Sequence, residues 1–177
     1  MNNDWVKVYS KITKELISIY ENNNNPGEYL YNLIIQSKYY NQFKLINPWI
    51  INFKEYNVNS IDPIHIFASF NSWKITKETR KKKLNLYYKI LTKRYFEELE
   101  NYDLDIFKYF PHVQITRVVG ARSNKEQKRV WDFFYAIAKD KLDFNIIKKT
   151  FNDILGYVQE KNVYGVKFPL ATIFMFW

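Results

Sequence analysis

The chain has 177 residues, of which 47% are hydrophobic and 19% aromatic, and its 27 lysines and arginines against 18 acids give a formal net charge of +9. Such a composition excludes global disorder and is sufficient for one domain with a sizeable core. The absence of cysteine excludes a disulfide framework and a thiolate metal site.

We predict a single domain over residues 1–177, with 1–60 and 61–177 as candidate lobes. Charged residues at positions 4, 7 and 11 interrupt any apolar run at the start, so no signal peptide is predicted. No apolar stretch reaches the roughly 20 residues of a membrane span. We therefore expect a cytoplasmic protein with no membrane partner.

Hydrophobic periodicity predicts two helices in the first 40 residues. Residues 4–20 carry apolar side chains three and four positions apart, and Asp4 is a suitable cap. The asparagine-rich segment 22–27 is predicted to be a loop, and a second helix follows at 28–40. Within 43–56, Asn47-Pro48 interrupts a helix, so a short helix and a buried strand are both compatible with the pattern.

The middle of the chain begins with a strong helix-start signal. Asp62 supplies a cap and Pro63 fits the first helical position, so we predict a short buried helix that stops near Asn71. A long amphipathic helix is predicted from Lys77 to Glu98, with most of its lysines outside the apolar stripe. The sequence of residues 104–110 favours a short helix. Over residues 113–119 apolar and polar residues alternate, which predicts a strand.

The last third of the chain is predicted to be helical. Ser123 and Glu126 form a capping-box pattern that opens a helix to about Lys139. Another helix is predicted over 143–156, and a final apolar helix starts near Pro169. The expected fold class is mainly α: a single compact helical domain with at most a small β element.

Motifs for catalysis are weak. Neither a phosphate-binding glycine loop nor a serine nucleophile elbow occurs, and His65 and His112 lack metal-ligand spacing. The apolar surroundings of His65 indicate a core residue rather than a ligand. We predict no catalytic residue, no metal and no cofactor in this chain.

One alternative within catalysis is a small metal-dependent nuclease. Glu126 and Lys128 have the E-x-K spacing of such enzymes, and Asp103 and Asp105 lie upstream. That motif belongs on a buried strand, however, whereas Glu126 is the third residue of a predicted capped helix. The capping role explains the glutamate without a metal.

Basic residues form the more informative constellations. Arg117, Arg122, Lys125, Lys128 and Arg129 cluster around a predicted strand end and a helix N-terminus. Such cations neutralise phosphates, and the free N–H groups and dipole of a helix N-terminus favour an anion. The alternative is a solvated helix face.

A second basic helix start lies at residues 79–83. Arg80 and Lys81 would extend a phosphate-binding surface. Asn71 or Trp73 would approach a base, and the Trp73 ring would stack on it. A solvated helix face is again the alternative.

A glycine turn at 164–167 resembles half of a helix-hairpin-helix. Backbone N–H groups exposed at Gly165 would face a DNA phosphate with Lys167 beside them. A plain loop between packed helices fits the same residues.

The order of these pieces resembles a known family. The likeness is to the domain in front of the GTPase motor in McrB-type, modification-dependent restriction proteins. It is carried by an opening helical pair, an aspartate-proline aromatic segment with a following arginine, a tryptophan-phenylalanine helix and a terminal glycine-lysine element. These are residues 4–9 with 30–34, 61–71 with Thr79-Arg80, 130–136, and 163–167 with 171–177. The resemblance implies DNA recognition or its regulation, with motor and nuclease elsewhere.

We therefore predict a DNA-binding recognition module of a restriction or defence system, without catalytic activity of its own. Its partners would be DNA and a motor or nuclease subunit or domain. The candidate nucleic-acid-binding residues are Asn71, Trp73, Arg80, Lys81, Arg117, Arg122, Lys125, Lys128, Arg129 and Lys167. The alternative is a protein-interaction module that docks a partner subunit through an aromatic surface.

Overall fold

The computed structural model describes residues 4–47, 59–70, 75–102, 104 and 124–139. Within these ranges the chain forms six α-helices and one 3₁₀ helix, and no strand. They are α1 (Asp4–Asn22), α2 (Pro26–Ile35), α3 (Tyr40–Ile46), α4 (Pro63–Phe70), α5 (Lys77–Thr92), the 3₁₀ helix (Glu97–Asn101) and α6 (Asn124–Ala138). The prediction of a mainly helical, compact domain is confirmed. The predicted strand at 113–119 and the helices at 143–156 and near Pro169 lie outside the described residues, as does 104–110 beyond Leu104.

The first helix forms as its periodicity predicts. Val8, Ile12 and Leu16 are fully buried on one face of α1. At its end, the Nδ2 groups of Asn22 and Asn23 donate to the carbonyl oxygens of Ser18 and Ile19, both at 2.8 Å. These amides satisfy carbonyls that the helix end leaves without a partner, so the asparagine run ends the helix as well as starting the loop.

The second predicted helix, at 28–40, is wrong in its bounds. It begins earlier, since Pro26 occupies its first turn, and it ends at Ile35. The Ser37 N–H bonds to the Ile34 carbonyl at 3.2 Å, and the Ser37 hydroxyl accepts from the Tyr39 N–H at 3.1 Å. This turn redirects the backbone into α3.

Helix α4 is the centre of the core, and all eight of its residues are buried. Its start confirms the predicted cap, since Asp62 Oδ1 accepts from the His65 N–H at 3.2 Å. In return the Asp62 N–H donates to His65 Nδ1 at 3.0 Å. This is a capping box with histidine in the usual position of glutamate. The histidine is therefore part of the buried framework, as predicted.

Helix α5 is shorter than the predicted 77–98. The Thr76 hydroxyl accepts from the Thr79 N–H at 3.2 Å and caps the start. Lys93, with φ 60°, adopts the left-handed conformation and ends the helix, while its N–H bonds to the Lys89 carbonyl. The 3₁₀ helix follows after residues 93–96, which begin with a bend.

Aromatic side chains join these helices into one core. Tyr9 of α1 packs on Phe67 and Phe70 of α4, with ring centroids 6.0 and 5.2 Å apart. Phe134 of α6 lies 5.8 Å from Phe67 and 6.2 Å from the fully buried Trp131. Helix α6 packs against α1, α2 and α4, and this packing fixes the position of its first turns.

Candidate nucleic-acid interface

The first two turns of α6 carry three exposed cations, Lys125, Lys128 and Arg129. Lys128 Nζ is bound to Asp132, at 2.7 and 2.9 Å from its two carboxylate oxygens. Lys125 and Arg129 form no ion pair within the described part of the chain. Since they lie four residues apart on a helix, their side chains are neighbours on one face.

A cleft of about 790 Å³ opens beside these turns. It lies between the end of α1 with the asparagine loop, residues 59–60 and the start of α6. Its lining is rich in amides and contains two lysines and two acids. The residues are Tyr20, Asn23, Asn24, Asn25, Pro26, Gly27, Glu28, Asn59, Ser60, Lys125, Gln127, Lys128, Trp131 and Asp132.

A buried polar seam forms the floor of the cleft. The Ser60 hydroxyl donates to Gln127 Oε1, and the Trp131 indole N–H donates to the Ile61 carbonyl at 3.2 Å. The Ile61 N–H in turn donates to the carbonyl of Gly27 at 3.0 Å. These bonds tie the loop before α4 to both α2 and α6, so the floor is a hydrogen-bonded junction of three segments.

One wall of the cleft is built around Asp132. Its Oδ1 accepts from the Tyr20 hydroxyl at 2.6 Å, in addition to the bonds from Lys128. Burial, reinforced by the hydrogen bond to Asp132, raises the pKa of Tyr20 above its ordinary value. The Tyr20 ring stacks on Tyr135, with centroids 4.5 Å apart. The negative charge of Asp132 is therefore engaged by two donors.

Arg80 lies in the core. Its side chain is 0% exposed, and it donates from Nε to the Phe70 carbonyl at 2.8 Å and from Nη1 to the Leu104 carbonyl at 3.0 Å. The first of these carbonyls is at the C-terminus of α4, where positive charge is favourable. A guanidinium with no exposed surface cannot reach a phosphate in this conformation, so Arg80 is not part of the interface proposed below.

Lys83 has the same structural role as Arg80. It is buried, and its Nζ donates to the Ser69 carbonyl at 2.9 Å. Burial lowers the pKa of Lys83 to about 8. Two cations of the basic run at 80–83 therefore bind the end of α4 instead of solvent.

Lys81 connects α5 to the 3₁₀ helix. Its side chain is 15% exposed, and its Nζ donates to the Glu100 carbonyl at 2.7 Å with the Glu100 carboxylate 3.8 Å away. No residue of α5 lines the cleft at the start of α6 in the described ranges. The two basic helix starts are therefore not brought to one cleft there.

The other candidate residues fall outside the described ranges. They are Asn71, Trp73, Arg117, Arg122 and Lys167. The predicted clustering of Arg117 and Arg122 with the cations of α6 therefore stays a prediction.

The amides of the cleft were missed at the sequence level. The run at 22–25 was visible, but its composition indicated only a loop. The sequence offers no signal that this run would face Asn59 and Gln127, which are distant from it along the chain.

Neither a metal site nor a membrane-spanning helix is found among the described residues. No group of three His, Cys, Asp or Glu side chains there is arranged to hold a metal ion. Asp103 and Asp105 of the nuclease alternative lie outside those residues. Over the same ranges no helix has the length and apolarity that crossing a bilayer requires.

The aromatic docking surface also stays a prediction. The exposed large hydrophobic residues of the described chain are Val6, Tyr29, Leu45 and Tyr95, which belong to four different segments.

Comparisons of the chain with protein-family models, with curated proteins and with solved structures found no match.

Proposed function

We propose that the domain binds DNA through the cleft at the start of α6. The observation that carries this proposal is the pair Lys125 and Arg129, two exposed cations without a carboxylate partner in the described chain. They stand on adjacent turns beside the cleft, and Lys125 lines it. Cations in this arrangement bind phosphates and release the counterions of the DNA backbone.

The lining of the cleft offers hydrogen-bonding groups in addition to positive charge. Asn23, Asn24, Asn25 and Asn59 offer both donors and acceptors to a ligand, and side-chain amides pair well with base edges. Since Asp132 is engaged by Tyr20 and Lys128, its charge opposes an incoming phosphate less than a free carboxylate would. A polar cleft with a cationic edge fits nucleic acid better than an apolar ligand.

The biological setting of this proposal rests on the sequence resemblance. In a McrB-like arrangement the domain would be the recognition part of a restriction or defence system. The motor and nuclease would be separate subunits or domains, and this chain would not catalyse.

Binding of fluorescently labelled duplex DNA, plain and methylated, to Lys125→Ala/Arg129→Ala tests the proposal. At 0.1 M salt we expect affinity to fall by about tenfold for each phosphate that the variant no longer binds. A difference between plain and methylated duplexes would show that the modification is read.

The control is Lys14→Ala/Lys82→Ala, which removes the same charge from exposed lysines of α1 and α5. Equal losses in both double variants would indicate attraction by net charge alone and would overturn the cleft as the site. Binding unchanged in Lys125→Ala/Arg129→Ala would overturn it as well.

A further inference from the structure

Residues 29–54 and residues 79–96 each carry basic residues and no acid. The first contains three lysines, and the second contains seven lysines and arginines. In the second stretch, Arg80 and Lys83 donate hydrogen bonds to carbonyls at the end of α4. Lys81 donates to a carbonyl of the 3₁₀ helix. The basic residues near the other end of this stretch, from Lys89 onward, have no such structural partner in the described ranges.

The fold brings the ends of these stretches together. Lys89 Nζ lies 4.5 Å from the ring centroid of Tyr95 and 5.8 Å from that of Tyr39, in the turn between α2 and α3. Lys38 Nζ lies 5.2 Å from the Tyr39 centroid. Lys93 and Arg94 are exposed and directly precede Tyr95. We call the six residues Lys38, Tyr39, Lys89, Lys93, Arg94 and Tyr95 the tyrosine–lysine surface.

The charge of the tyrosine–lysine surface is not neutralised locally. None of its four cations forms an ion pair within the described chain. The nearest acid in sequence is Glu97, two residues beyond Tyr95. By contrast, Lys11, Lys128 and Lys139 are each bound to a carboxylate. The surface is therefore a local concentration of positive charge.

The two rings of the surface are accessible and held in place. Tyr95 is 48% exposed, Tyr39 is half-buried, and the ammonium group of Lys89 lies near both. Cation–π contacts of this kind orient a ring and occupy one of its two faces. Alternating cations and ring faces are the combination with which proteins hold single-stranded nucleic acid, where unpaired bases stack and phosphates meet lysine or arginine.

Lys93 ends α5 in a conformation that allows a clean test of its charge. Its φ of 60° places it in the left-handed region at the end of the helix. Glycine adopts that conformation with less strain and is common at this helix position. A glycine at 93 would therefore keep the helix end while removing the cation.

We infer that the tyrosine–lysine surface binds single-stranded nucleic acid: its rings stack on bases and its cations contact phosphates. It shares no residue with the cleft at the start of α6, and the inference holds whether or not that cleft binds duplex DNA. An unpaired strand is favoured over a duplex because a duplex offers no base face to either ring. An anionic lipid surface would attract the same cations and is the alternative that the vesicle experiment below separates.

Lys89→Gln/Lys93→Gly removes two cations of the surface. With a labelled single-stranded oligothymidylate of about 20 nucleotides, we expect the slope of log affinity against log salt to become shallower by about 0.7 for each phosphate that the variant no longer binds. Thermal stability should not fall in the single variant Lys93→Gly, because glycine relieves the left-handed strain. An unchanged salt slope in a folded double variant would overturn the inference.

Tyr39→Leu/Tyr95→Leu removes the rings and keeps the charge. We expect a loss of about tenfold or more in affinity for the single strand. Lys14→Ala/Lys82→Ala is the charge control for the cation variant and should lose less affinity than Lys89→Gln/Lys93→Gly.

Vesicles of anionic phospholipid separate the lipid alternative from the inference. If the cation variant weakens vesicle binding but leaves oligothymidylate binding intact, the surface is a membrane contact and the inference fails. Loss of single-strand binding in Lys125→Ala/Arg129→Ala alone would place the strand in the cleft and would overturn the inference without affecting the proposed function.

Discussion

Lys83 is an ionisable residue whose side chain is buried. It is buried beside the Ser69 carbonyl at the end of α4, and burial lowers its pKa to about 8 from an ordinary value of 10.5. Buried lysines are uncommon because the charged form loses its hydration. The protonation of Lys83 therefore makes the free energy of unfolding depend on pH.

Folding should release a proton from Lys83 between pH 8 and pH 10.5. In that range the unfolded lysine is protonated and the folded one is not, so the unfolded state binds more protons and stability rises with pH. Above about pH 10 the partly buried Tyr20 and the fully buried Tyr87, whose pKa values burial raises, oppose this trend. The window for measurement is thus pH 7.5 to about 9.5.

Lys83→Met should remove this contribution. We expect the free energy of unfolding, measured by denaturant titration across that window, to rise more steeply with pH in the wild type than in the variant. Lys82→Met, at an exposed neighbouring position, should keep the wild-type slope. The same slope in Lys83→Met and the wild type would show that Lys83 titrates normally.

At the scale of elements, the junction of α2, α6 and the segment before α4 depends on Gly27. A Cβ at this position would lie 2.9 Å from Gln127 Oε1 and 3.1 Å from the Ile61 carbonyl, and it would also meet the Ser60 hydroxyl. The Ile61 carbonyl belongs to the backbone and already accepts a hydrogen bond from Trp131. Moving it would shift the chain and weaken that bond. The close approach of the two segments requires glycine.

Gly27→Ala therefore tests the packing of the cleft floor. The higher helix propensity of alanine would stabilise by up to about 1 kcal/mol, whereas overpacking costs about 1–3 kcal/mol. Because the contacts are with backbone and buried polar atoms, we expect a net destabilisation of about 1–2 kcal/mol in denaturant titration. Glu28→Ala, at the exposed next residue, should change stability little. A Gly27→Ala variant as stable as the wild type would contradict this packing.

The basic run at 80–83 shows what element-level patterns can and cannot predict. The pattern identified a helix from Lys77, and its start is confirmed. It did not indicate that Arg80 and Lys83 face inward, because charge normally marks the solvent side of a helix. Their partners include carbonyls of α4, at least ten residues away in sequence, and Arg80 also binds the Leu104 carbonyl. Only the packing of α4 against α5 shows that these cations are structural.

At the scale of the whole molecule, the helical class and the apolar faces were predictable because both depend on local periodicity. The buried positions 8, 12, 16 and 19 of α1 and the Asp62 cap of α4 followed directly from spacing and residue type. The ends of α2 and α5 were not predictable, since a serine turn at 37 and a left-handed lysine at 93 set them. The cleft was not predictable either, since it combines segments that are far apart along the chain.

The distribution of charge is the molecular property on which the proposed function depends. Some lysines are bound by carboxylates and others by carbonyls, whereas Lys125 and Arg129 are among the exposed cations that form no ion pair in the described chain. A protein that uses such cations against phosphate releases counterions when it binds.

The salt dependence of duplex DNA binding by the intact chain measures this property. Titrations between about 0.05 and 0.2 M salt should show log affinity falling linearly with log salt, by about 0.9 for each phosphate contacted. A slope of about 2 or more is expected if Lys125 and Arg129 both bind phosphate. Affinity that does not change with salt, or no binding at the lowest salt, would contradict the account.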